Sequence, residues 1–222
     1  MAHPLLFLAS MQHLINSFAL SLSLSLSLVA CATDDRAADD HDQLPDQTGF
    51  VEQASLVEGI YAINAHLMNA DGCSPGGEPM EGQARFAFAV QSSLFGYDFL
   101  TVMSCDSLEA CRRDAAAFRN GGELGAIDFD FTVDRVAAAG LLGEGASSGY
   151  STGDGMCRDP QAWDTTLDLE GNELMISRAI REGADYPEDD DGYCTTDAAK
   201  RASKGVACSQ METLRATYVE AL

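Results

Sequence analysis

Gly125-Ala126-Ile127-Asp128-Phe129-Asp130-Phe131-Thr132-Val133-Asp134 decides the fold class. Ile127, Phe129, Phe131 and Val133 point one way and Asp128, Asp130, Thr132 and Asp134 the other, the period-two alternation of a half-buried strand. A hairpin repeats the pattern downstream. Trp163, Thr165, Leu167 and Leu169 share a face, Glu170-Gly171-Asn172 turns the chain, and the return over 173–181 sets Leu174, Ile176, Arg178 and Ile180 together. Further strands are expected at 59–69, 85–91, 97–104, 136–142 (with an extension to 150 open) and 211–221.

Two short helices interrupt these strands. Asp106-Ser107-Leu108-Glu109 has the form of a capping box and opens a helix over 107–119, where Leu108, Cys111, Ala115 and Phe118 recur at helical spacing. Thr195-Thr196-Asp197 offers a cap for a second helix over 197–204. Sequential antiparallel strands must hide their edges by closing on themselves or by packing on another sheet. Residues 50–222 therefore read as a single, mainly β domain of about eight antiparallel strands, a barrel first and a sandwich second. In a barrel, Tyr61, Ile63, Ala65 and Leu67, with Phe86, Phe88, Phe99 and Met103, are expected inside. There they would either fill the interior or line a pocket for one small ligand.

Residues 18–29 form an apolar run rich in alternating Leu and Ser. It has the length of a signal-peptide core and is too short to span a bilayer. It ends in Leu28-Val29-Ala30-Cys31, which resembles the lipobox of bacterial lipoproteins, although the leader carries His3 and His13 where Lys or Arg is usual. The resemblance implies that residues 1–30 are a signal peptide and that Cys31 is lipidated, two acyl-chain signals sufficing for stable anchoring. It also implies a place in the cell envelope, and the lack of Asp just after Cys31 implies the outer membrane. Residues 31–49, with six Asp, have almost nothing to bury and read as a flexible acidic tether.

All 13 Lys and Arg and all 35 Asp and Glu follow Cys31, so the part beyond the leader carries the whole net charge of −22. Such a surface lacks the cations that phosphate backbones require, which argues against nucleic acid as a partner. Spending Cys31 on lipid leaves an even set, Cys73, Cys105, Cys111, Cys157, Cys194 and Cys208, which in an exported chain reads as disulfides. Sequence leaves the pairing open. Proximity along the chain favours Cys105–Cys111 and Cys194–Cys208, with Cys73–Cys157 as the long bridge. Zinc fits poorly, since there is no C-x-x-C and His66 is the one histidine of the folded region.

Gly59-Ile60-Tyr61 opens the first expected strand, and Arg215 lies on the last. This is similar to lipocalin barrels, which open on Gly-x-Trp and close with an Arg packed against that ring; Tyr61 stands here in place of Trp. The resemblance implies a barrel-end pair of Tyr61 and Arg215, a guanidinium stacked on an aromatic ring.

Signals for catalysis are thin. Gly145-Ala146-Ser147-Ser148-Gly149 and Gly149-Tyr150-Ser151-Thr152-Gly153 match G-x-S-x-G, but a nucleophile elbow needs a following helix and a downstream His, and no His follows His66. His66 is expected on the strand face opposite Tyr61, partly exposed. Asp128 and Asp130 could pair as glycosidase carboxylates do, yet a solvated face explains them as well. Trp163 reads as a core anchor rather than a sugar platform. Asp185, Glu188, Asp189, Asp190 and Asp191 cluster on one loop and could hold Ca²⁺ with oxygen ligands, outside the EF-hand register. No other cofactor is implied. The expectation is a non-enzymatic envelope lipoprotein that binds a small apolar ligand or, with a filled barrel, serves as a structural or protein-interaction module; a hydrolase is the third reading.

Overall fold

A computed structural model describes residues 47, 49–80, 84–94, 96–138 and 140–222. The expected leader, Cys31 and most of the tether lie outside the described residues. Among the described residues, thirteen strands and three helices follow in chain order: α1 (Phe50–Val57), β1 (Gly59–Asn69), β2 (Glu78–Pro79), β3 (Phe86–Leu94), β4 (Tyr97–Cys105), α2 (Leu108–Arg119), β5 (Asp130–Val133), β6 (Arg135–Ala137), β7 (Gly140–Ser147), β8 (Tyr150–Ser151), β9 (Met156–Arg158), β10 (Gln161–Glu170), β11 (Glu173–Glu182), β12 (Tyr186–Pro187), α3 (Thr196–Ala202) and β13 (Gln210–Glu220).

The main sheet runs β5-β4-β3-β1-β13-β11-β10-β7-β6, every described pairing antiparallel. Its outer members, β5 and β6, are parted only by Asp134, so one stretch of chain passes from β4 to β7 and all but closes the barrel. Asp134 N–H donates to the Leu142 carbonyl at 2.8 Å across that seam. At Gly143 a Cβ would lie 2.1 Å from the Thr132 carbonyl, so only glycine lets β7 come this close to β5. Counted as staves, with β5 and β6 as one, the barrel has the expected eight, in up-and-down order, with β13 returning to β1. The continuous sheet sets the sandwich aside.

The β10–β11 hairpin turns at Gly171-Asn172 as expected, with Gly171 at φ 64° supplying the left-handed residue such turns need. The expected strand over 136–142 is instead broken into β6 and β7. Only Asp130–Val133 of the opening stretch is strand, which leaves Ile127 exposed while Phe129, Phe131 and Val133 are buried. Ser107, not Asp106, caps α2, its hydroxyl accepting from Ala110 N–H at 3.1 Å. Thr195 caps α3 in the same way.

Helix α1 was not expected. Its Phe50, Ala54 and Val57 are buried in the main core, and it touches β3, β4, β6 and β7, on both sides of the seam. It therefore lies across one mouth of the barrel. Tyr61 completes this helix end, its hydroxyl donating to the Val57 carbonyl at 2.6 Å.

The interior is filled. Leu100, Val102, Phe131, Leu167, Leu174, Ile176 and Leu214 are each no more than 1% exposed and belong to one cluster. Phe86, Phe88 and Met103, expected inside, pack on the outer face under α2, and Phe99 shares that face of β4. Both faces of β3 are buried, so the alternation that would have told inside from outside is missing.

The disulfides are Cys105–Cys111, Cys73–Cys208 and Cys157–Cys194. The first pairing is as expected; Cys194–Cys208 and Cys73–Cys157 are not formed. Pairing of Asn69 with Met211 brings the end of β1 to the start of β13, and Cys73 thereby meets Cys208, 135 residues away in sequence.

Candidate functional site

A bulge in β1 builds the first part of the site. Ile63 pairs with Ala216 and His66 with Leu214, so three residues of β1 span what two of β13 span. The extra residue shifts the strand's phase by one, which carries His66 to the interior and turns Ala65 and Leu67 outward. His66 is 3% exposed, against the expectation of a partly exposed histidine.

His66 Nε2 donates to Glu212 Oε1 over 2.7 Å, and Glu212 Oε2 accepts from Arg178 Nη1 at 3.3 Å. Arg178 also donates through Nη2 to the Asp130 carbonyl, on a strand that is not its neighbour. The cluster is thus a strut across the second mouth, the ionic end. The Arg178 guanidinium lies 4.3 Å from the centre of the Phe131 ring and 5.5 Å from that of Trp163, and the His66 ring meets Phe129 edge-on at 4.7 Å. Burial pulls the Arg178 pKa below the ordinary arginine range, while Glu212 and Asp130 pull it back up. At this end of the barrel Arg178 Nε and, on the residue paired with it across the hairpin, Thr165 Oγ1 are buried with no hydrogen-bond partner among the described residues.

Trp163 connects this buried cluster to the surface. Its indole lies over Gly145, where a Cβ would come within 2.3 Å of Nε1. It also lines a cleft of about 450 Å³ with Ala162, Asp164 and Arg181 of the hairpin and Lys200, Ser203 and Lys204 of the α3 segment. Ser203 is 1% exposed, and its hydroxyl has no partner among the described residues. The α3 segment is pinned on both flanks, by Cys157–Cys194 before it and Cys73–Cys208 after it.

The barrel-end pair of Tyr61 and Arg215 does not form. Tyr61 is buried at the helix end against Tyr218, with ring centres 5.7 Å apart, whereas Arg215 is exposed and pairs with Ala65. A guanidinium does stack on an aromatic ring in a barrel mouth, but it is Arg178 on Phe131. On the acidic loop, Asp185 is paired with Arg158, Glu188 accepts from the Ser151 hydroxyl, and Asp189 accepts from the N–H groups of Asp191 and Tyr193. Among the described residues no three His, Cys, Asp or Glu side chains are grouped to hold a metal. Ser147 and Ser151 lie in β7 and β8, and strands rather than a helix follow them. Asp128 lies before β5, its N–H donating to the Ser104 hydroxyl. Cys31 is outside the described residues.

Arg178 was legible as one charge in the row Leu174, Ile176, Arg178, Ile180, and a charge on an inward face asks for a partner. Glu212 and the lysines of the cleft gave no such signal. The chain matches no protein-family model, no curated protein and no solved structure.

Proposed function

We propose that this chain is a lipid-anchored protein of the cell envelope whose filled barrel is a non-enzymatic scaffold that binds partners on its surface. The observation that carries this reading is the occupied interior: large apolar side chains no more than 1% exposed stand where a lipid-binding barrel would keep a cavity. The anchor rests on the Leu28–Cys31 motif behind its apolar run and on the even set of paired cysteines beyond it. The net charge of −22 favours solubility and disfavours nucleic acid.

Native mass spectrometry tests the interior. Residues 32–222, exported behind an ordinary leader and exposed to a total lipid extract, should give the mass of the chain alone. A retained molecule that leaves on denaturation would overturn the filled scaffold and favour the small apolar ligand. The anchor has its own test: a clickable palmitate analogue should label the full chain but not its Cys31→Ser variant, and equal labelling of the two would remove Cys31 as the acceptor.

A further inference from the structure

The geometry points to the cleft between β10 and α3 as a binding site for a small organic oxyanion, a phosphate or carboxylate carried on a flat apolar body; this rests on the surface-binding reading above. Lys200 and Lys204 are the only lysines in the chain, and both line this cleft. Neither takes part in an ion pair among the described residues. The acids beside them are already engaged, Glu144 by Arg135 and Asp164 by Arg181. On a chain with a large surplus of negative charge, the unspent charge of this one cleft is therefore positive, and an anion is its complement.

Cations near a helix C-terminus also balance its free carbonyls, which accounts for lysines on α3. It does not account for the residues that line the cleft with them. Trp163, the only tryptophan, belongs to the lining, and Ala162 and Val206 add apolar wall. Ser203, whose buried hydroxyl has no partner among the described residues, belongs to the same lining. A volume of about 450 Å³ suits a small organic molecule. The disulfides flanking α3 hold the lysines in place before any ligand arrives, which lowers the entropic cost of binding.

The chain carries its own reporters. Phenyl phosphate is titrated into the full, detergent-solubilised protein while Trp163 emission and acetylation of the two lysines are followed. The expected result is a saturable change in emission, slowed acetylation of both lysines, and weakening with added salt. The Lys200→Gln/Lys204→Gln variant, altered only at exposed positions, should keep its melting temperature and bind at least about tenfold more weakly. Arg112→Gln on α2 should bind as the parent does. An unsaturable response at millimolar concentration, an equal response to benzyl alcohol, or unchanged binding by the lysine variant would overturn the site. Equal affinity for inorganic phosphate would overturn the role given to Trp163. Benzoate binding as well as phenyl phosphate would support a carboxylate ligand, and benzoate failing would support phosphate. None of these results alters the mass of the chain after lipid exposure, so the ligand assignment and the filled scaffold fail separately.

Discussion

The two mouths of this barrel are closed by opposite chemistry. At the helix end, α1 lays Phe50, Ala54 and Val57 against the interior, and the polar atom of Tyr61 is spent on the Val57 carbonyl. At the ionic end, His66, Glu212 and Arg178 come from three different staves and hold one another across the opening. An apolar plug loses stability in proportion to the contact removed. A buried charge network responds otherwise, because deleting one member takes a charged partner from groups that stay desolvated.

The largest expected effect follows from that asymmetry. Glu212→Ala should lower unfolding stability by about 3–5 kcal/mol, read from the urea midpoint at an unchanged slope. The triple variant His66→Leu/Glu212→Leu/Arg178→Met should recover most of this, since well-packed apolar groups often replace a buried ion cluster without loss. A single-variant loss below about 1 kcal/mol would mean that water reaches the cluster and that the ionic end is no strut.

Phe50→Ala should cost somewhat less, about 3 kcal/mol, because a helix end can relax into part of the void. Its signature should also differ. Amide exchange should rise across α1 and leave the protection of β11 and β13 unchanged, as expected of a local opening. Loss of protection at both mouths together would show that they are one cooperative unit, and the comparison would break.

The helix end and the ionic end were not equally legible. Strand period placed β1, β10, β11 and β13 to within about two residues, and in β10 and β11 the more deeply buried residues fall on one face, as the alternation requires. It failed at β3, buried on both faces, and at His66, where the bulge reverses every face assignment beyond it. A bulge has no reliable mark in composition; Asn64 reads as an ordinary strand residue until its partner strand is known. The disulfides failed for a related reason: chain proximity cannot see that β13 returns to β1. Helix α1 was hidden by its short length and by an N-terminus with no side-chain cap. The cleft was beyond reading, since it needs the hairpin and the α3 segment side by side.

The smallest effect separates the mouths by pH. The helix end and its seam carry phenols whose ionisation the fold opposes. Burial is the main cause at Tyr61, with Tyr218 second. At Tyr97, whose hydroxyl donates to Asp134 Oδ2 at 3.0 Å, burial first and the Asp134 charge second push the pKa up to about 12. Unfolded phenols titrate near 10. Below that value both states keep their protons, and the contribution of each phenol to stability is fully present. Between about 10 and 12 only the unfolded chain ionises at Tyr97, so the folded state loses ground steadily as pH rises. Urea midpoints should therefore fall over this window, and Tyr97→Phe should flatten part of the fall. The Glu212 and His66 variants should shift the whole curve without changing its slope there, because their cluster lies at the other mouth. A Tyr97→Phe variant with the parent's alkaline slope would place the titrating group elsewhere. A slope that changed with Glu212 instead would show that the two ends communicate through the packed interior.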